Sequence, residues 1–71
     1  MNSQFCIDNI DREYVLNWGD VSTGTIRCAE DIYNLAAESG SRWINSDNKF
    51  VKKSDVIDRL IDAIEDALTA P

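Results

Sequence analysis

Asp55, Asp58, Asp62, Glu65 and Asp66 lie in the stretch SDVIDRLIDAIEDAL, residues 54–68, with Arg59 as the one cation among them. Carboxylates can ligate a metal, work as an acid–base pair, or present an acidic surface to a basic partner. Each use needs different company. A calcium loop requires closely spaced Asp or Asn ligands, a mid-loop glycine and a closing glutamate, and no stretch of this chain has them. Asp58 and Asp62, one helical turn apart, supply two ligands and no more. The chain contains no histidine, so the commonest general base and commonest metal ligand are both missing. Its two cysteines, Cys6 and Cys28, cannot complete a four-ligand zinc site. Neither metal nor cofactor is expected.

What remains is surface chemistry. On a helix, Asp55 to Asp66 spans about 16 Å, so the five carboxylates average one per about 4 Å. That is close to the rise of about 3.4 Å per phosphate along one DNA strand. Such a face could imitate nucleic acid and dock on a basic groove, with Glu30, Asp31 and Glu38 of a second helix extending it if the two polar faces are neighbours. The plain alternative is a face charged only for solubility. Against it stands the imbalance of one arginine to five acids. The like-charge pairs Asp58/Asp62 and Asp62/Asp66 each cost a few tenths of a kcal/mol, with Asp55–Arg59 the one favourable i,i+4 pair.

Arg42, Lys49, Lys52 and Lys53 form the opposite feature. Residues 1–39 carry seven acids against Arg12 and Arg27, residues 40–53 four cations against Asp47, and residues 54–71 five acids against Arg59. A basic island thus interrupts a chain of net charge −6. VSTGTIR, residues 21–27, resembles the start of a recognition helix in helix-turn-helix repressors, with the basic segment as a wing. That resemblance implies direct nucleic-acid binding through Arg42, Lys49, Lys52 and Lys53. The same helix would present Glu30, Asp31 and Glu38 to phosphates that repel them, so this is the second expectation. Gly19 and Gly24 flank a hydroxyl-rich loop before a helix, but the lysine and glycine spacing of a phosphate-binding loop are absent. Cys28 belongs to an apolar arc, where a thiol is inert. A chain this small seldom encloses a substrate pocket of several hundred Å3, and a non-enzymatic role is expected.

The elements that must position these groups follow from periodicity. Phe5 and Ile7, then Tyr14, Leu16 and Trp18, alternate with polar neighbours and predict a hairpin closed at Asn9–Arg12. A competing reading makes residues 9–18 a short helix, since Ile10, Tyr14 and Trp18 recur every four. Thr25 is the expected N-cap and Gly40 the stop of a helix whose apolar arc is Ile26, Cys28, Ala29, Ile32, Tyr33, Leu35, Ala36 and Ala37. RWIN and KFVK predict a second hairpin over residues 41–53, turning at Ser46-Asp47-Asn48. Ser54 is the expected cap of the last helix, with Val56, Ile57, Leu60, Ile61, Ala63, Ile64, Ala67 and Leu68 inward. Trp18 is expected in the core. Trp43 is read as core filler or, beside Arg42, as an interface anchor.

The sum is one α+β domain over residues 1–71, ordered hairpin–helix–hairpin–helix (ββαββα), with two amphipathic helices on one face of an antiparallel sheet. The alternative is mostly α, with a short first helix and one hairpin. The longest uncharged run is Met1 to Ile7, so no membrane span is expected. The amino end lacks the basic and apolar segments of a signal peptide. Two thiols in 71 residues are far from a disulfide scaffold, and a cytoplasmic protein with reduced cysteines is expected. The functional expectation is a protein-binding regulator or inhibitor that meets a larger, basic, nucleic-acid-processing partner through Asp55, Asp58, Asp62, Glu65, Asp66, Glu30, Asp31 and Trp43. Phage-encoded antagonists of bacterial defence enzymes are similar in size and charge, an analogy of type. Self-association, the basic hairpin of one copy meeting the acidic helix of another, is a third expectation.

Overall fold

A computed structural model describes residues 4–69. Strand β1 (Gln4–Cys6) leads through a 3-10 turn (Ile7–Asn9) into helix α1 (Arg12–Trp18). A second 3-10 turn (Val21–Thr23) precedes helix α2 (Thr25–Glu38), followed by strand β2 (Arg42–Ile44) and helix α3 (Lys53–Thr69). β1 and β2 pair in parallel, Gln4 opposite Arg42, Phe5 opposite Trp43 and Cys6 opposite Ile44. Parallel neighbours need a long crossover, and here α1 and α2 together provide it.

The first predicted hairpin does not form. Residues 12–18 are helical because the chain between Ile10 and Val15 carries a complete helix start. Asp11 caps the helix, its carboxylate accepting from the Tyr14 N–H at 2.9 Å. Ile10 before the cap and Val15 in the first turn are both fully buried, the pair that fixes the entry angle of a helix. The period-four reading of Ile10, Tyr14 and Trp18 is the one the fold follows. Alternating Tyr14, Leu16 and Trp18 does not place them on one sheet face, and Leu16 and Trp18 are exposed.

The second predicted hairpin survives as a single antiparallel bridge, Ile44 to Phe50. Asn45 reduces it to this: its side-chain carbonyl accepts from the Asp47 and Lys49 N–H groups and closes a tight loop. Asn48 takes the left-handed conformation, φ 62°, that such a loop requires. β2 pairs with β1 instead, so the sheet is parallel rather than antiparallel.

Both longer helices form as their periodicity predicts, with corrected starts. Gly24, not Thr25, is the N-cap of α2, at φ 108°, a conformation that suits glycine alone. Gly40 ends α2 as expected: at φ 79° it donates to the Ala37 carbonyl while Ser41 donates to that of Ala36, the paired bonds of a left-handed C-terminal cap. α3 begins at Lys53, and Ser54 lies inside its first turn rather than capping it. The core is Ile10, Val15, Cys28, Ala29, Ile32, Ala36, Trp43, Val56, Leu60, Ala63 and Ile64. α1 and α2 both pack on α3, so three helices rather than two surround this core. The predicted arcs are too wide: Ile26, Leu35 and Leu68 are more than half exposed.

Candidate functional site

α3 presents its acids where the helical pitch puts them. Val56, Leu60, Ala63 and Ile64 are buried, and Asp55, Asp58, Asp62, Glu65 and Asp66 are exposed on the opposite side. The expected Asp55–Arg59 pair does not form; among the described residues the one ion pair is Arg27–Asp31 on α2, at 3.9 Å. Arg59 turns away from the acids, its Nε donating to the Ile7 carbonyl at 3.4 Å, a weak tie between α3 and the turn after β1. The strip is bordered at one edge by Asp11 and Arg12, which share a shallow groove with Arg59, Asp62 and Asp66. Arg12 and Arg59 border this end without an ion pair to its carboxylates among the described residues, and Asp55 and Asp58 lie outside that groove.

Glu30 and Asp31 are exposed on α2, as is Glu38. They do not continue the α3 strip into one groove. Asp31 and Glu38 line a separate depression with Asn34 and Leu35, formed by α2 alone. The chain thus carries two acidic surfaces, one per helix.

The four cations of the basic segment are exposed, and two rest on aromatic rings. The Arg42 guanidinium lies 5.3 Å from the Phe50 ring centre, and the Lys53 ammonium 5.3 Å from that of Tyr33. Phe50 is 63% exposed, so Arg42 covers only part of a ring that also faces solvent beside Lys49.

Trp43 takes the core position, one of its two readings, and not the interface position, whereas Trp18 leaves the core expected of it. Trp43 is 5% exposed and Trp18 59% exposed. Trp43 sits on β2 with its side chain toward the helices, 5.6 Å centre to centre from Phe5 and edge-on to Tyr14 at 6.0 Å. A ring held there fills the core and offers a partner no surface. Trp18, at the end of the seven-residue α1, projects past the core and meets Tyr14 at 6.3 Å.

Phe5, Tyr14, Trp18 and Leu35 wall a groove of about 310 Å3, with Ile32 and Ala36 in its lining. Sequence reasoning missed this groove because it assigned Tyr14 and Trp18 to a strand and Leu35 to the core. The Asp11 cap and the Ile10–Val15 staple were the signals that could have found it. Burial pushes the Tyr14 hydroxyl above its ordinary range.

The Cys28 thiol is chemically quiet. Cys28 is fully buried, and burial first, then the nearby Asp20 and Asp31 carboxylates, raises its pKa above the ordinary value. Cys6 is half-buried, and both cysteines are free. Among the described residues no three acidic or thiol side chains converge as metal ligands would, and no helix is long and apolar enough to cross a membrane. No family model, curated protein or solved structure matches this chain.

Proposed function

We propose that this chain is a non-enzymatic protein-binding module whose α3 carboxylates occupy a basic groove of a larger partner, in the place that groove keeps for nucleic acid. The observation that supports it most directly is the exposed strip Asp55, Asp58, Asp62, Glu65 and Asp66, its one intervening cation turned to a backbone carbonyl. Unpaired carboxylates on a rigid helix need no rearrangement to meet arginine forks or lysine ammonium groups. Their contribution is steering and register as much as affinity. Trp43 takes no part in this interface because it is buried.

The test is capture of partners by the tagged full chain from lysate, with and without nuclease, beside a variant carrying Asp58→Lys, Asp62→Lys, Glu65→Lys and Asp66→Lys. All four positions are exposed, so the variant keeps its helical circular dichroism. A nuclease-resistant partner with a basic groove, lost in the variant, is the expected result. A partner retained by the variant rejects the reading, and empty capture assigns the strip to solvation.

A second reading draws on Phe50. An exposed aromatic ring beside Arg42, Lys49 and Lys52 is the combination that stacks unpaired bases and neutralises their phosphates. Affinity for single-stranded nucleic acid that falls steeply with salt and drops on Phe50→Ala supports this reading. No binding at low salt ends it.

A further inference from the structure

The groove walled by Phe5, Tyr14, Trp18 and Leu35 leaves apolar surface in water that folding has not covered. Phe5, Trp18 and Leu35 are 40%, 59% and 51% exposed. Exposed apolar side chains gathered in one groove, unlike ones scattered singly, are a place where a partner can dock. Its lining also says what kind of group it suits. Ser39 contributes a hydroxyl, but that hydroxyl already donates to the Ala36 carbonyl at 2.9 Å. The phenol of Tyr14, already partly desolvated, and the indole N–H of Trp18 are the other polar side-chain groups of the lining. The walls therefore select apolar side chains. At about 310 Å3 the space takes one or two anchor side chains.

Leu35 divides this groove from the depression that holds Asp31, Asn34 and Glu38, and lines both. An occupant seated on the apolar side thus runs directly onto carboxylates. Asp31 is held loosely by Arg27 at 3.9 Å, both side chains being mostly exposed, and Glu38 has no ion pair among the described residues. A cation arriving at Leu35 meets an acidic margin on a chain of net charge −6.

We propose that the groove between β1, α1 and α2 docks a basic amphipathic segment of a partner protein. One or two apolar side chains lie between Trp18 and Leu35, and a neighbouring lysine or arginine reaches Asp31 and Glu38. An amphipathic segment that lays its apolar face into a groove is a recurring peptide-binding mode. A second copy of this chain is a poorer occupant, since two chains of net charge −6 repel. An anionic membrane surface is disfavoured for the same reason. This site is separate from the α3 strip, and its failure leaves the reading of that strip untouched.

The experiment uses three synthetic peptides with the same leucine and phenylalanine anchors, whose intervening positions are lysine, glutamine or glutamate. Binding to the full chain is followed by calorimetry and by tryptophan emission, to which exposed Trp18 and buried Trp43 both contribute. The lysine peptide is expected to bind at least about tenfold more tightly than the glutamate peptide. Leu35→Asp should remove binding, and paired Asp31→Lys and Glu38→Lys replacements should invert the order of preference. Sedimentation of the free chain runs in parallel. Equal affinity for all three peptides, binding that survives Leu35→Asp, or no binding at millimolar peptide overturns the proposal. Self-association abolished by Leu35→Asp also overturns it, by assigning the groove to a second copy.

Discussion

Replacing Gly19 with alanine tests the packing that holds α1 on α2, and with it the shape of the aromatic groove. Gly19 follows Trp18 directly and caps α1 with an extended backbone, φ −139°, which alanine adopts without strain. The obstacle is space. A methyl group there would lie 2.7 Å from Cys28 Sγ, 2.7 Å from Ile32 Cδ1 and 2.8 Å from Ile32 Cγ1. Cys28 and Ile32 are 0% and 1% exposed, so neither can swing into solvent. Forcing one methylene-sized group into such a core costs about 1–3 kcal/mol. The loss of glycine's freedom in the unfolded chain returns about 0.4–1 kcal/mol. The middle of each range gives a net destabilisation of about 1.3 kcal/mol, within limits of about 0 to 2.6, or a melting point lower by about 5–10 °C for a domain of this length. Thermal and urea unfolding followed by circular dichroism measure it. The double variant Gly19→Ala/Ile32→Val removes one of the three close contacts, so its loss should be smaller than the sum of the two single losses. A Gly19→Ala protein melting above the parent would refute the close approach of the Gly19 backbone to Cys28 and Ile32 of α2, together with the groove built on it.

Three further outcomes follow from the same coordinates. Gly40→Ala should cost about 1 kcal/mol by forcing a side chain into the left-handed cap at φ 79°, whereas Asn48→Gly, at φ 62°, should be close to neutral; urea midpoints distinguish them. Under native conditions a thiol reagent should modify Cys6 first and reach Cys28 only on unfolding, a two-phase titration that equal reaction rates would contradict. Burial raises the folded-state values of Tyr14 and Cys28 above their ordinary 10.0 and 9.0, so their stabilising contribution is complete below pH 9 and is lost as pH rises through the folded values. Tyr14→Phe should accordingly flatten part of the alkaline fall in melting temperature. An unchanged alkaline limb would show that Tyr14 is not desolvated.

α2 and α3 were legible because their apolar residues repeat over many turns and glycine marks where α2 ends. The seven residues of α1 are too few for periodicity to outweigh the β-forming character of Tyr14, Val15 and Trp18, and its evidence lay in the cap and staple on either side of Arg12. Sheet pairing was illegible for a different reason. RWIN has a sequence neighbour, KFVK, ready to close a hairpin, yet β2 takes its ladder from β1, whose apolar Phe5 packs on Trp43 across the register. Local pattern reports which residues favour strands, and tertiary packing chooses the partner. The α3 acids were readable from spacing alone, because an exposed charged face needs no partner within the chain. The aromatic groove depends on where three separate elements meet, and no single stretch of sequence contains it.

The parallel pairing of β1 with β2 also sets an order of assembly. A strand that waits for a partner beyond two helices closes a far longer loop than a hairpin does, at an entropic cost greater by about 2 kcal/mol. The helices share the core around Ile32, Leu60 and Ile64 without that loop being closed, so β1 is expected to join last and detach first. During synthesis, β1 can meet β2 only once Ile44 has emerged. In the finished protein, transient release of β1 carries Phe5 off Trp43 and takes one wall from the groove. Hydrogen exchange at the amides of Phe5 and Cys6 should therefore be faster than at those of α3, and any occupant that touches Phe5 should slow it.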